Sequence, residues 1–181
     1  LKVMCYQVML LLLRADKFKA DDNLVEHERL LGKALELGKS MTEKVPFSDE
    51  SWRMLGAVYS LMGNDLEALA ANEEAYRISP KAMKNIRGYV GSLLKTESDI
   101  ARLLRVIRLA RSQFPNNSQL LEIWLDIEMN FGKREEVYVH RRNQYLRKPS
   151  DRVNAIKLGL FYVNETPTRE LILNPDGSPV H

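Results

Sequence analysis

The sequence predicts an all-α protein: a solenoid of stacked antiparallel helix pairs followed by an irregular C-terminal tail. Three observations carry this. Prolines recur at Pro46, Pro80, Pro115 and Pro149, with spacings of 34, 35 and 34 residues. A fixed period of this size marks a stacked array, because one helix pair cannot bury its apolar face alone. Between the prolines, apolar residues return at helical spacing, as Trp52, Leu55 and Tyr59 do at i, i+3 and i+7. Turn and cap residues then punctuate the intervals. Gly63-Asn64 divides one interval in two, while Ser48 or Asp49, Ser98, Asn117 and Ser150 with Asp151 stand where helices should begin.

In chain order the expected helices run about 2–14, 23–44, 49–62, 65–78, 81–95, 98–113, 117–131, 133–146 and 150–163. Lys2 to Arg14 resembles a secretory leader only faintly, since Gln7 interrupts it, and reads better as the first amphipathic helix. A charged link, Asp16–Asp22, joins it to the second. Pro80, behind Ser79, is expected in the first turn of the helix that follows, where its missing N–H costs nothing. The units fall at about 1–48, 49–82, 84–117 and 118–151, with a half unit at 152–163, in one continuous domain over 1–163. Residues 164–181 change style. Leu171-Ile172-Leu173, the turn Pro175-Asp176-Gly177 and Val180 suit an irregular tail or a hairpin.

Composition narrows the function. Apolar residues make up 45% of the 181 and charged residues 28%, which suits a folded soluble chain rather than a disordered one. The longest apolar run, Val8 to Leu13, is far too short to cross a bilayer. One cysteine, Cys5, allows no internal disulfide and reads as an inert buried thiol; a soluble chain in a reducing compartment, with the cytoplasm favoured, is expected. His27, His140 and His181 share no metal-ligand spacing. No phosphate loop, nucleophile elbow or His-Glu-x-x-His is present, and Glu73-Glu74 and Glu135-Glu136 are adjacent pairs whose side chains diverge around a helix. The chain is therefore read as non-catalytic and without a cofactor.

Asp49 to Ala82 carries Trp52, Leu55, Gly56, Tyr59, Gly63, Ala68, Ala75, Tyr76 and Pro80 in order. This resembles the tetratricopeptide repeat, whose pattern is W-x2-L-G-x2-Y, a small Ala, then Ala and Pro over 34 residues. Asn72 departs from it, standing where a large aromatic is usual. In this reading Ala68 faces Gly56 across the helix contact. Carried forward, the frame gives Val90, Gly91, Leu94, Ala110 and Pro115, with Leu103 in place of the small Ala, then Leu121, Trp124, Gly132, Val137, Tyr145 and Pro149. The resemblance implies a right-handed superhelix with a concave binding face lined by the first helix of each pair. On that face it places Arg53, Met54, Ala57 and Leu61, then Asn85, Tyr89 and Ser92, then Gln119, Ile123 and Asp126, then Ile156, Lys157 and Leu160. The family's carboxylate clamp is absent, because only Arg53 fits it. An apolar strip of Met54, Leu61, Tyr89, Ile123 and Leu160 takes its place, suited to an amphipathic helix or an extended peptide of a partner protein. The same residues could instead pack the chain's own helix or tail.

Two further surfaces stand out. The whole formal charge of +3 sits in the C-terminal half. There Arg102, Arg105, Arg108 and Arg111 on one helix, with Arg141 and Arg142, form a candidate basic patch for acidic proteins or phosphate backbones. No aromatic platform accompanies them, so nucleic acid is the less favoured ligand. Tyr138, Arg142 and Tyr145 share one side of helix 133–146 and offer a self-association face. The functional expectation is a protein-binding scaffold, with polyanion binding, or service as the helical appendage of an enzyme, as the alternatives.

Overall fold

A computed structural model describes residues 1–96 and 99–165, and side chains as far as Gly159. The described residues form nine helices: α1 (Lys2–Ala20), α2 (Leu24–Lys44), α3 (Asp49–Leu61), α4 (Asp65–Ile78), α5 (Met83–Thr96), α6 (Ile100–Gln113), α7 (Ser118–Phe131), α8 (Arg134–Arg147) and α9 (Arg152–Glu165). The architecture is an α-solenoid of helix pairs. Leu160's side chain, Ser98 and the proposed tail or hairpin at 166–181 lie outside the described residues.

The four prolines impose one backbone stop four times. Val45, Ser79, Phe114 and Lys148, each preceding a proline, have φ between −126° and −144° and ψ between 62° and 76°. A residue before proline is pushed out of the α region, so each helix must end there. The N–H of each still donates to the carbonyl four residues back at 2.9–3.3 Å, and its own carbonyl accepts from the residue three ahead at 3.1–3.2 Å. Pro80 therefore sits in the linker, not in the first turn of α5, which begins at Met83. Ser48, Asp99, Asn117 and Asp151 then accept from backbone N–H groups at the starts of α3, α6, α7 and α9. The cap expected at Ser98 is supplied by Asp99.

Within a pair the turn is of another kind. Gly63 has φ 77° and the N–H of Asn64 reaches back to the carbonyl of Tyr59. Asp22 has φ 58° and Asn23 reaches back to Phe18 in the same way. Both are left-handed helix stops closed by a six-to-one hydrogen bond. The shared turn makes α1–α2 a true member of the series. The link expected at Asp16–Asp22 is largely helical, because Ala15 is fully buried and Phe18 packs on the core, leaving Asp16, Lys17 and Lys19 on the outer face. Lys17 and Lys19 also suit the helix C-terminus electrostatically.

The contacts group into two compact units, Leu1–Leu120 and Leu121–His181. In the first, each helix from α1 to α6 packs on the next, and α1 also meets α3 as α3 meets α5. Its core gathers Val8, Leu12, Leu30, Leu31, Met41, Met54 and Val58, with Cys5 among them. Each such large side chain contributes about 2 kcal/mol by leaving water. Cys5 is 4% exposed; burial pushes its thiol above the usual range, and Glu50 beside it adds to this. In the second unit, Leu125, Ile127 and Val137 are buried. Glu128 is fully buried as well, its carboxylate accepting from Trp124 Nε1 at 3.2 Å and from the Lys133 N–H at 2.9 Å, just before α8 begins.

Candidate functional site

A cleft of about 470 Å³ lies between α3 and α5. On α3 its wall is Arg53, Gly56, Ala57, Ser60 and Leu61, an i, i+3, i+4, i+7, i+8 stripe that occupies one helix face. On α5 the wall repeats the same spacing with Lys84, Arg87, Gly88, Gly91 and Ser92, extended by Lys95. Small residues make the cleft deep and long side chains make its rim.

The floor explains the departure noted at Asn72. Asn72, on α4, is 6% exposed, and its amide nitrogen donates to Ser92 Oγ at 2.8 Å. A Cβ on Gly56 would lie 2.7 Å from Asn72 Oδ1, and one on Gly88 would lie 2.8 Å from the same atom. Two glycines from successive first helices thus close on one asparagine amide. It is Asn72, rather than Ala68, that Gly56 meets this closely. Gly91 differs: a Cβ there meets open space.

The rim is cationic. Arg53 is 3.6 Å from Glu50, and Lys95 lies 3.5 Å from Asp65 and donates to Ser60 Oγ at 3.3 Å. Lys84 and Arg87 are exposed and make no ion pair among the described residues.

Several residues expected on the concave face are elsewhere. Met54 belongs to the core at 4% exposure, and Tyr89 is 3% exposed. Tyr89 stacks on Tyr76 with ring centroids 5.1 Å apart. Its hydroxyl donates to Glu73 at 3.3 Å and accepts from Arg102 at 3.2 Å, and burial above all pushes its pKa up. Asn85 is 1% exposed, its amide bridging Asp49 at 2.8 Å, Ala75 O at 3.0 Å and Ser79 O at 3.1 Å. The apolar strip therefore does not form, since two of its members are core. The cause is phase. Helices α3 and α5 begin 34 residues apart, at Asp49 and Met83, whereas the expected frame began the second unit at Lys84. One residue turns a helix by about 100°, which carries Asn85 and Tyr89 inward and brings Lys84, Arg87 and Lys95 to the cleft. Arg53, Ala57 and Leu61, on the unit with the correct phase, do line it.

On α7 Gln119 and Asp126 are exposed and Ile123 is half-buried, and on α9 Ile156 is 60% exposed. The basic patch loses members to internal bonds. Arg102 pairs with Glu73 at 2.9 Å and Asp99 at 3.3 Å, and Arg111 donates to the carbonyls of Phe114 and Pro115. Arg141 is buried, its guanidinium forked onto Glu122 at 2.8 and 3.2 Å, where Lys157 also binds at 2.8 Å. Arg141 chiefly, against the effect of burial and with help from Lys157, holds the Glu122 carboxyl at about 2. Arg105 and Arg108 are exposed and Arg142 is half-buried, as are Tyr138 and Tyr145. His140 meets Trp124 edge-on at 6.2 Å.

No helix among the described residues is long and apolar enough to cross a membrane, and these residues hold no cluster of metal-ligating groups. No family model and no curated protein matches the chain. A chain in the solved structure of Naa15/Naa10 bound to HypK-THB matches it with a TM-score of 0.55 and 17% identity, over 87% of this chain and 23% of that one. The likeness establishes the helical-repeat fold, and this chain spans about a quarter of its neighbour's length.

Proposed function

We propose that the chain is a non-catalytic, tetratricopeptide-like interaction module that holds a segment of a partner protein in the α3–α5 cleft. The observation carrying this reading is the cleft itself: two matched helix stripes with small side chains at their centre, open above Gly91. Helices fixed by a shared core present such a cleft preformed, so binding orders only the ligand and less entropy is lost. The fold neighbour is consistent with this role, since Naa15/Naa10 is bound to HypK-THB in that structure.

The test uses the full chain and a displayed library of random peptides. Peptides selected on the native protein are assayed against Gly91→Met, which fills the cleft from a position with room for a side chain. Their affinity is expected to fall by about tenfold or more, the equivalent of about 1.4 kcal/mol. Equal binding to both proteins would remove the cleft as the site.

A further inference from the structure

Building on the cleft reading, we infer that its occupant is an extended protein segment rich in Asp and Glu, recognised by Arg53, Lys84, Arg87 and Lys95. Residues 1–90 carry equal numbers of acidic and basic side chains, yet four cations and no carboxylate line this cleft. Glu50 and Asp65 sit beside Arg53 and Lys95 at 3.6 and 3.5 Å and offset those two in part. Lys84 and Arg87 have no ion pair among the described residues, so one end of the cleft carries uncompensated positive charge. Such charge steers an acidic partner and selects against a basic one.

Length separates a segment from a small anion. Lys84 and Lys95 are eleven residues apart on α5, which is about 16 Å along its axis. About five residues of extended chain cover that distance. A lone phosphate or carboxylate reaches one end only. Gly91, where a Cβ would meet open space, leaves the α5 wall without a side chain between Arg87 and Lys95, where the ligand's backbone can lie close. A nucleic acid fits less well, because no aromatic ring lines the cleft to stack on a base.

The experiment measures fluorescence anisotropy with three labelled probes: a decapeptide of alternating Glu and Ser, its Gln and Ser counterpart, and single-stranded RNA of the same number of units. The acidic peptide is expected to bind about tenfold tighter than the amide peptide and to weaken as salt is raised. Lys84→Glu with Arg87→Glu should erase that preference, Lys84→Gln with Arg87→Gln should reduce it, and Arg105→Glu on the exposed face of α6 should leave it within about twofold. Circular dichroism and the thermal midpoint confirm folding of each variant. No measurable binding of the acidic peptide, equal binding of the amide peptide, or retention by both double variants would overturn the inference. RNA bound in preference to the acidic peptide would overturn the class of partner. If library peptides are lost on Gly91→Met yet show no acidic preference, this inference fails alone; if they are not lost, the cleft reading fails first.

Discussion

Arg53 is the fifth residue of α3, Arg87 the fifth of α5 and Glu122 the fifth of α7. In the first unit this position supplies cations that face a cleft. In the second it supplies a carboxylate that gathers Arg141 and Lys157 onto itself. At this one helix position the more basic half of the sequence places a carboxylate that pairs with two of its cations, while the neutral half places cations, of which Arg87 has no ion pair among the described residues. Net charge along a sequence does not locate a charged surface; the helix phase of each side chain does.

Four measurements would break or sharpen this contrast. The largest effect is expected from Glu122→Ala, which strands the Arg141 guanidinium with its side chain only 9% exposed. The second unit should lose about 2 kcal/mol, less than a fully enclosed pair because Glu122 is itself partly solvated. Urea unfolding read by Trp124 fluorescence in a Trp52→Phe background reports on that unit alone. The same probe reads acid sensitivity. The folded-state value of Glu122 is about 2 against 4.5 when unperturbed, so its stabilisation is complete above pH 4.5 and fades as the pH falls toward 2. Glu122→Ala should flatten that fall, and an unchanged acid profile would show that the carboxylate is not the anchor.

A smaller and two-signed effect separates the glycines of the cleft. Gly91→Ala should raise stability by about 1 kcal/mol, since helix propensity improves and the methyl group meets open space. Gly56→Ala should lower it by about 1 kcal/mol, because displacing Asn72 from its bond to Ser92 outweighs the same propensity gain. Equal signs at the two positions would show that Asn72 yields freely. The smallest effect belongs to Arg77→Ala. Its guanidinium meets Glu74 at 2.5 and 2.8 Å with the chemistry of the Arg141–Glu122 pair, but with the arginine side chain 65% exposed. Its urea midpoint should not move beyond error.

Much of the fold was legible in the sequence. The prolines mark the four helix stops because a pre-proline residue cannot remain helical, and that constraint is local. The helix ends were accordingly close, apart from α1, whose extension to Ala20 depends on Ala15 and Phe18 meeting α2 and the core. His27 Nδ1 lies 2.9 Å from Ala15 O, a contact that no local pattern announces. The cleft was half legible. Its α3 wall followed from the repeat pattern, whereas its α5 wall required the phase of a helix with weaker landmarks. Gly91 looked like the counterpart of Gly56, but Val90, 3% exposed, holds that slot, and Gly88 makes the close approach to Asn72. Asn72 itself was visible as an anomaly, and its partners were not. The Arg141–Glu122 pair joins residues 19 positions apart on two helices, so only packing could reveal it.

The four pre-proline stops are closed by hydrogen bonds within their own few residues, from the helix they end to the linker they begin. A junction whose backbone bonds are all local can be copied together with its helix pair. Duplication or loss of 34 or 35 residues between two prolines would leave a pre-proline stop of the same backbone pattern at every joint. Length is therefore the property of this chain that inheritance can edit most cheaply, one helix pair at a time.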